Sequence, residues 1–256
     1  MNSWTWAAAS CRGTSHVRTN VRRQDAFSCS YGTNDGKTLI AVVSDGAGSA
    51  RMGGEGASLI CRTLITQARQ FDFAQPELEL PSDEDIWSWI FLARDRIRMA
   101  AEARRLRPRD FAATLILLIS SGDNTLVAHI GDGSAVLKCG NTDEWKALSW
   151  PRQGEYASST YFITDYPTPK LNIARSNCPV SALAVFSDGV ERLALDMAAQ
   201  KPHKPFFDGI IRAVASTPIE GFDQNLSQQL GKYLDSDAVN ARTDDDKTLI
   251  LAVHRA

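Results

Sequence analysis

The sequence predicts an α+β protein in which mixed or antiparallel sheets are covered by helices. Five segments rich in Val, Ile and Leu are apolar on both faces, which is typical of strands in sheets covered on both sides. They are residues 38–44, 113–119, 125–137, 182–187 and 248–253. Residues 113–137 predict a hairpin around the turn Ser-Ser-Gly-Asp-Asn. Helices come in consecutive pairs, which disfavours a doubly wound parallel sheet.

The helices follow from apolar residues at helical spacing in three segments. Residues 54–71 and 84–105 are predicted as helices between the first two strands, and 222–235 before the last. Residues 138–181 are polar and irregular. A long segment of this kind is usually disordered or an active-site flap, and its aromatic residues favour an ordered flap.

Composition limits the class of protein. The chain has 256 residues, 43% of them hydrophobic, which is enough for one large core or two small ones. The formal net charge of −2 is scattered and offers no basic footprint for nucleic acid. The local basic run at residues 13–23 is most simply a solvated arm.

Targeting and redox features indicate a cytoplasmic protein. The five cysteines are odd in number and widely spaced, which predicts neither a disulfide framework nor a zinc site, as in a reducing cytoplasm. The N-terminus lacks the basic region of a signal peptide. Because no apolar run reaches the ~20 residues of a membrane span, we expect no membrane partner.

Aspartates recur at the ends of the predicted strands. Three apolar runs end in Asp-Gly, at Asp45, Asp132 and Asp188. One such pair is an ordinary turn, but three after buried strands indicate a common cause. Asp25 precedes another strand-like stretch, and the acidic run 244–246 precedes the last strand. If these ends converge, the carboxylates will repel one another and raise each other's pKa values, unless divalent cations compensate.

The donor types predict which metal would bind. Carboxylates, a backbone carbonyl and water suit Mg²⁺ or Mn²⁺ rather than Zn²⁺. Two such ions about 3.5–4 Å apart can produce a hydroxide at neutral pH and clamp a phosphoryl oxygen. A glycine after the aspartate would let the Gly46 carbonyl turn toward a metal.

A set of motifs spans nearly the whole chain. In order they are GTSH, QDAF, VVSDGAGSA, RDFAATL, HIGDG, GEYASSTYFITD, FSDGVERLAL and TDDDKTL. Together they resemble the metal-dependent protein phosphatases of the 2C type, and most closely a small single-domain bacterial subgroup. The resemblance implies one domain over residues 1–256. It also implies a four-layer α-β-β-α sandwich, with two stacked, mainly antiparallel sheets and the metals at one edge.

The resemblance also implies which residues hold the metals. Asp45 would bridge two Mn²⁺ or Mg²⁺ ions, with the Gly46 carbonyl on one of them. Asp188 and Asp245 would hold the other ion. Asp245 is chosen by its spacing to Thr248, and Asp244 and Asp246 are the alternatives.

The remaining aspartates complete the implied site. Asp132 would support a third, weaker ion, and Asp25 would orient a metal-bound water. Asp45, Asp188 and Asp25 are therefore the candidate catalytic residues.

Two positions depart from the family pattern. Gln24 stands where many relatives have Glu, which would weaken the second metal because an amide is a poorer ligand. Ala47 stands where some members have a proton-donating His. Protonation of the leaving group would then fall to a metal-bound water or to a residue that the sequence does not identify.

Phosphate binding is assigned from the basic N-terminal run. Asn20 occupies the spacing at which the family often has an arginine. His16 is the first candidate, with an equally weighted alternative of ordering its loop. Arg22 is the second, because guanidinium groups bind phosphate in bidentate fashion. Arg18 and Arg23 lie nearby.

Three further residues have competing roles. Thr160, together with Glu155 and Tyr156, would shape substrate access in the flap or simply order it. Thr114 is predicted to pack within its strand.

The resemblance implies a serine/threonine phosphatase in bacterial signalling, in which a metal-bridging hydroxide attacks without a phosphoenzyme. No cysteine is followed six positions later by Arg, which excludes the usual cysteine-nucleophile motif. The implied partners are a phosphorylated protein substrate and a cognate Ser/Thr kinase. The alternative is a weak or inactive phosphatase-fold module that binds a phosphoprotein. Gln24 and Ala47 favour that module, and the retained acidic set disfavours it.

Overall fold

A computed structural model describes residues 3–33, 35–73, 80–140, 142–151 and 160–255. The strands in chain order are β1 (Ser3–Cys11), β2 (Ala26–Tyr31), β3 (Leu39–Ser44), β4 (Leu115–Ser120), β5 (Thr125–Ile130), β6 (Ser134–Cys139), β7 (Trp145–Ser149), β8 (Asn172–Ser176), β9 (Val180–Phe186), β10 (Leu195–Asp196), β11 (Lys201–Pro202), β12 (Gly221–Phe222) and β13 (Lys247–Arg255). The α-helices are α1 (Thr14–Arg18), α2 (Gly53–Gln70), α3 (Asp83–Ala103), α4 (Glu191–Ala194), α5 (Lys204–Ser216), α6 (Gln224–Leu234) and α7 (Asp237–Asn240). Short 3₁₀ helices cover Pro108–Phe111 and Asp188–Val190.

The strands form two stacked sheets and one small ribbon. The first sheet has the order β2-β3-β4-β5-β8 and is antiparallel throughout. The second has the order β12-β1-β13-β9-β6-β7, and its only parallel pair within the described residues is β1 with β12. Strands β4 and β5 form the predicted hairpin. Strands β10 and β11 form the ribbon.

Strand β3 shows why its sequence is apolar on both faces. Ile40 and Val42 pack against helices α2 and α3, whereas Leu39, Ala41 and Val43 pack between the two sheets. All five side chains are at most 1% exposed. Burial of each large aliphatic side chain stabilises the fold by roughly 1.5–3 kcal/mol. The predicted four-layer α-β-β-α sandwich is confirmed.

The outer layers bury one apolar stripe of each helix. Helices α2 and α3 cover the first sheet, and α3 begins with a capping box between Ser82 and Asp85. Helices α5 and α6 cover the second sheet. Helix α6 confirms the predicted segment 222–235, but α5 was not predicted. Phe207 and Val214, both at most 2% exposed, bury the inner face of α5.

The segment 125–137 is two strands, not the single strand that we predicted. Gly131 has a positive φ of 113°, a conformation that glycine adopts readily. The chain leaves the first sheet after β5 and enters the second at β6. This crossing places Asp132 between the two sheets.

Two other regions also differ from the expectation. Strand β1 pairs with β13 along its whole length, although its alanine-rich sequence carries no strong strand signal. The segment 138–181 is not irregular throughout, because it contains the end of β6, all of β7 and β8, and the start of β9. Glu155 and Tyr156 lie outside the described residues.

The cysteines are not all reduced in the structure. Cys139 and Cys178 form a disulfide across 39 residues, which corrects the expectation drawn from their wide spacing. Pairing of β6 with β9 sets Cys139 opposite Val180 and so brings the distant sulfur atoms together. Cys11, Cys29 and Cys61 are free thiols. Among the described helices, none is both long enough and apolar enough to cross a membrane.

Candidate metal centre

Five strand ends meet at one edge of the sandwich. Strands β3, β5 and β9 end there, and β2 and β13 begin there. In the first sheet, Ala26 at the start of β2 pairs with Ser44 at the end of β3. In the second, Leu249 near the start of β13 pairs with Phe186 at the end of β9. Antiparallel pairing therefore brings the distant aspartates to a common edge.

Three carboxylates form the centre of this edge. One oxygen each from Asp45, Asp132 and Asp188 lies within 4.8 Å of the others. This spacing suits joint coordination of a hard cation, whose oxygen ligands lie about 2.0–2.6 Å from the ion. The Oδ1 atoms of Asp132 and Asp188 are buried and have no hydrogen-bond partner.

Asp25 lies deeper, directly behind these carboxylates. It is 4% exposed, and its Oδ2 accepts hydrogen bonds from Ser187 Oγ at 2.7 Å and Thr248 Oγ1 at 2.6 Å. Its Oδ1 is buried without a partner. Burial raises the pKa of Asp25 to about 6, although the two hydroxyls favour its charged form.

Burial and mutual repulsion raise the pKa values of the other carboxyls. For Asp45, burial is the largest cause and the nearby negative charges follow, first among them Asp25. Burial likewise raises the pKa of Asp188, followed by the charges of Asp132 and Asp245. Burial also raises the pKa of Asp132, whereas a hydrogen bond from the Thr160 side chain acts in the opposite direction and lowers it. In the part of the chain that the structure describes, no cationic side chain pairs with these carboxylates.

The acidic run before β13 contains three residues with different surroundings. The Asp246 carboxylate is 1% exposed and accepts hydrogen bonds from the backbone N–H groups of Gly13 at 2.6 Å and Gln24 at 2.5 Å. Asp244 is exposed and pairs with Arg18 at 2.8 Å. Asp245 is half-buried, and its charge raises the pKa values of Asp45 and Asp188. Of the three, Asp245 is the one whose charge acts on both Asp45 and Asp188, although it is not among the carboxylates that lie within 4.8 Å of one another.

Thr114 holds the backbone of Asp45 in place. Its Oγ1 accepts a hydrogen bond from the Asp45 N–H at 3.0 Å, and its N–H donates to the Asp45 carbonyl at 2.8 Å. The Ser44 hydroxyl donates to the Thr114 carbonyl at 2.6 Å. Thr114 therefore positions Asp45 in addition to packing within the sheet.

The glycines after the aspartates are sites of close backbone approach. A Cβ on Gly46 would lie 2.2 Å from the Gly53 carbonyl carbon, and one on Gly189 would lie 1.9 Å from the Asp246 carbonyl oxygen. A Cβ on Gly133 would lie 2.7 Å from the Phe186 carbonyl oxygen. Any side chain at these positions would push the strand ends apart. This requirement explains all three Asp-Gly pairs.

The two predicted phosphate ligands have different surroundings. His16 Nδ1 lies 2.9 Å from Asp246 Oδ1, an ion-pair contact when the imidazole is protonated. This contact favours the alternative in which His16 orders its loop. Arg22 is exposed and lines a groove beside the centre. The Oε1 atom of neighbouring Gln24 is buried without a partner.

Four residues that support the centre were not predicted as part of it. Ser187 and Thr248 hold Asp25, and Asp246 was only an alternative ligand. Glu191 is half-buried, and burial followed by the charge of Asp132 raises its pKa. Glu191 lies three residues after Asp188, about one helical turn, and this spacing could have indicated from the sequence that it lies near the centre. The position after Gly46 is Ala47, whose buried methyl group packs with Ala50 and Ala112 and cannot donate a proton.

Comparison with known proteins agrees with this geometry. Residues 12–235 match the protein phosphatase 2C family. The chain is 40% identical over 254 residues to Serine/threonine-protein phosphatase 3 of Escherichia coli strain K12, a match that covers 98% of each chain.

Two solved structures share the fold. The serine/threonine phosphatase Stp1 from Staphylococcus aureus has a TM-score of 0.64 at 15% identity, covering 98% of this chain and 95% of that one. RsbX in complex with magnesium has a TM-score of 0.60 at 14% identity, covering 99% and 96%. At such low identity these two structures establish the fold alone.

The family match and the curated relative decide between the two functions weighed from the sequence. They do not favour the inactive binding module. The chain belongs to the protein phosphatase 2C family and is a serine/threonine phosphoprotein phosphatase.

Proposed function

We propose that the carboxylate edge is the active site and that it binds two Mn²⁺ or Mg²⁺ ions, with a third held more weakly. Asp45, Gly46, Asp188 and Asp245 would be the principal ligands, Asp132 would serve the third ion, and Asp25 would support them from behind. The observation that carries this proposal is the convergence of Asp45, Asp132 and Asp188 within 4.8 Å.

The residues present fit such ions. Among the described residues, no hydrogen-bond donor satisfies three buried carboxylate oxygens of the centre, namely Oδ1 of Asp25, Asp132 and Asp188. A buried carboxylate without a partner is costly, and a divalent cation removes that cost. Oxygen donors without thiolate or imidazole suit Mg²⁺ and Mn²⁺.

When bound, the ions would activate water and neutralise charge on the phosphoryl group. The protein's own residues would then position the reactants. Ser187 and Thr248 fix the Asp25 carboxyl behind the proposed ligands. Thr114 keeps Asp45 aligned. Thr160 would lie at the flap side of the site, through its hydrogen bond to Asp132.

Arg22 is the proposed ligand of the substrate phosphate. It is exposed at the groove beside the centre, and no acidic side chain of the described residues pairs with it. His16 would act less directly, by holding the Asp246 loop against the residues before β2.

The biological setting is proposed from the same site. A phosphatase that removes phosphate from serine and threonine implies a Ser/Thr kinase that acts on the same proteins. We propose that both work in bacterial signalling in the cytoplasm, and that residues 1–256 form one catalytic domain.

Metal-dependent hydrolysis tests this function. We expect the protein to hydrolyse p-nitrophenyl phosphate with Mn²⁺ and to stop with EDTA. On a peptide panel it should act on phosphoserine and phosphothreonine in preference to phosphotyrosine. Activity that survives chelation would contradict the mechanism. Calorimetry gives a readout without turnover, and failure to bind Mn²⁺ at millimolar concentrations would contradict the metal site.

A further inference from the structure

A basic groove runs along the surface next to the metal centre. Its volume is about 520 Å³, and its lining includes four arginines. They are Arg22, Arg23, Arg51 and Arg62. The first two come from the segment before β2, the third precedes helix α2, and the fourth lies on α2. The overall formal charge of the chain is −2, so this concentration of positive charge is local.

The guanidinium charges are not neutralised by the protein. Within the described part of the chain, Arg23 donates hydrogen bonds to the carbonyls of Asp25 and Ser10, and Arg62 to the carbonyl of Ser58. Arg22 and Arg51 are exposed, and no carboxylate in the described residues pairs with any of the four.

Glu55 also lines the groove, but its negative charge is neutralised by an arginine that is not one of these four. Glu55 forms an ion pair at 2.5 Å with Arg104, the residue that follows helix α3. The groove therefore keeps the charge of all four of its arginines. Helix α2 also begins here without a side-chain cap, which adds to the positive potential.

The groove is continuous with the metal centre through the backbone. Gly53 at the start of α2 lies so close to Gly46 that a Cβ on Gly46 would be 2.2 Å from its carbonyl carbon. The Gly46 N–H also donates to the Gln24 carbonyl at 3.3 Å. Because Gln24 and Gly53 line the groove and pack against Gly46, the groove adjoins the carboxylate edge. If the edge is the catalytic centre, residues that flank a bound phosphorylated residue would lie within reach of the groove.

We propose that this groove binds acidic side chains that flank the phosphorylated residue of the substrate. The enzyme would then prefer phosphoproteins in which Asp, Glu or a second phosphorylated residue lies beside the phosphoserine or phosphothreonine. This inference rests on the proposed function, because it takes the carboxylate edge as the catalytic centre. Planar guanidinium groups bind carboxylate and phosphate oxygens in pairs, which suits such a sequence.

The test compares two phosphothreonine peptides that differ only in their flanks, one with Glu and one with Gln. We expect a higher kcat/KM for the acidic peptide at low ionic strength, and a smaller preference at about 200 mM salt. Arg51→Gln and Arg62→Gln should each lower the acidic-to-neutral ratio by roughly two- to fivefold, as expected for exposed ion pairs. The double variant should bring the ratio close to one.

The matched control is Arg212→Gln, the same change at an exposed arginine on helix α5, which covers the other sheet. It should leave the ratio at the wild-type value. A loss of preference in Arg212→Gln equal to that in Arg51→Gln would overturn the proposal, because it would show a general charge effect.

The same measurements distinguish failure of the proposed function from failure of the groove proposal. If the wild-type protein with Mn²⁺ hydrolyses neither peptide nor p-nitrophenyl phosphate, the proposed function fails. If it hydrolyses both peptides with equal kcat/KM, the function stands and the groove proposal is wrong. An oligonucleotide that binds the groove arginines more tightly than the acidic peptide would also overturn the proposal, in favour of a nucleic-acid site.

Discussion

Two groups of aspartates in this protein have opposite electrostatic surroundings. At the candidate metal centre, buried Asp25 and half-buried Asp45 and Asp188 lie together without a paired cation among the described residues, and their pKa values are raised. On the surface beside β6 and α5, a second group, the lysine-paired cluster, joins Asp143 and Asp208 to Lys138 and Lys204.

The lysine-paired cluster balances its own charge. Lys138 Nζ lies 2.6 Å and Lys204 Nζ 2.8 Å from the Asp143 carboxylate, and these contacts lower the pKa of Asp143 to about 2. Among the described residues, no lysine pairs with the carboxylates of the centre. In the proposed function, divalent ions would balance their charge, so the same residue type would serve structure in one place and metal binding in the other.

The largest expected difference between the two groups is in catalysis. We expect Asp188→Asn to lower kcat for p-nitrophenyl phosphate with Mn²⁺ by at least about a hundredfold, because a metal ligand is lost. The matched change Asp143→Asn should stay within about twofold of wild type, since an exposed ion pair contributes little. Similar losses in both variants would remove the distinction, and circular dichroism would check that each variant is folded.

The pH dependence of stability should also differ between the groups. Because the pKa of Asp25 is raised to about 6, its contribution to stability is complete below the unfolded value of about 4 and is lost as pH rises through 6. The shift corresponds to about 3 kcal/mol, or roughly 6–12 °C in Tm. We expect the Tm of EDTA-treated protein to fall between about pH 4 and about pH 7, and saturating Mn²⁺ to reverse the fall.

The matched variant for the pH experiment is Asp25→Asn, which should reduce the dependence in metal-free protein without abolishing it, because the pKa values of Asp45 and Asp188 are also raised. Asp143 has the opposite sign, because its lowered pKa gives stability above about pH 4 that is lost as pH falls toward 2. This second effect should be small since Asp143 is exposed. A Tm of metal-free protein that rises between about pH 4 and about pH 7 would contradict the raised pKa values.

Loss of the hydrogen bond that supports the Asp45 backbone should have the next largest effect. Thr114→Val leaves the Asp45 N–H without its acceptor, so we expect a loss of about 1–3 kcal/mol in the free energy of unfolding. Chemical denaturation measures it. Thr114→Ser, which keeps the hydroxyl, should retain more of the stability and more of the affinity for Mn²⁺. Equal destabilisation in the two variants would show that Thr114 acts by packing alone.

The smallest expected effect is in the lysine-paired cluster. Lys204→Gln should change the free energy of unfolding only slightly, because the pair is exposed and screened by salt. Lys201→Gln, at a nearby exposed lysine, is the control. A much larger effect of Lys204→Gln would show that this cluster is part of the fold's core rather than a surface network.

Much of the fold could be predicted from local sequence patterns. Strand β3 is apolar on both faces, and apolar residues recur at helical spacing in α2 and α3. Both patterns can be read directly from the order of apolar and polar residues. Strand β1 could not be predicted this way, because its small residues become a strand only when β13 pairs with it. Helix α5 was not predicted, although its buried residues Phe207, Ile211 and Val214 lie at helical spacing and offered the same kind of signal.

The aspartates at the strand ends were evident from the sequence, but their surroundings were not. Asp244, Asp245 and Asp246 are adjacent and chemically identical. Their roles separate only because Gly13 and Gln24 supply backbone N–H groups to Asp246, and Arg18 pairs with Asp244. Family spacing pointed to Asp245, and its surroundings give a physical reason to prefer it.

The sequence by itself determined that apolar strands end in aspartates and that oxygen donors dominate, because these properties belong to single residues and short segments. Only the tertiary structure decided that Gly131 carries the chain between sheets, that Cys139 meets Cys178, and that four arginines share a groove. Each of these depends on strand register and helix packing, which join residues far apart in the chain.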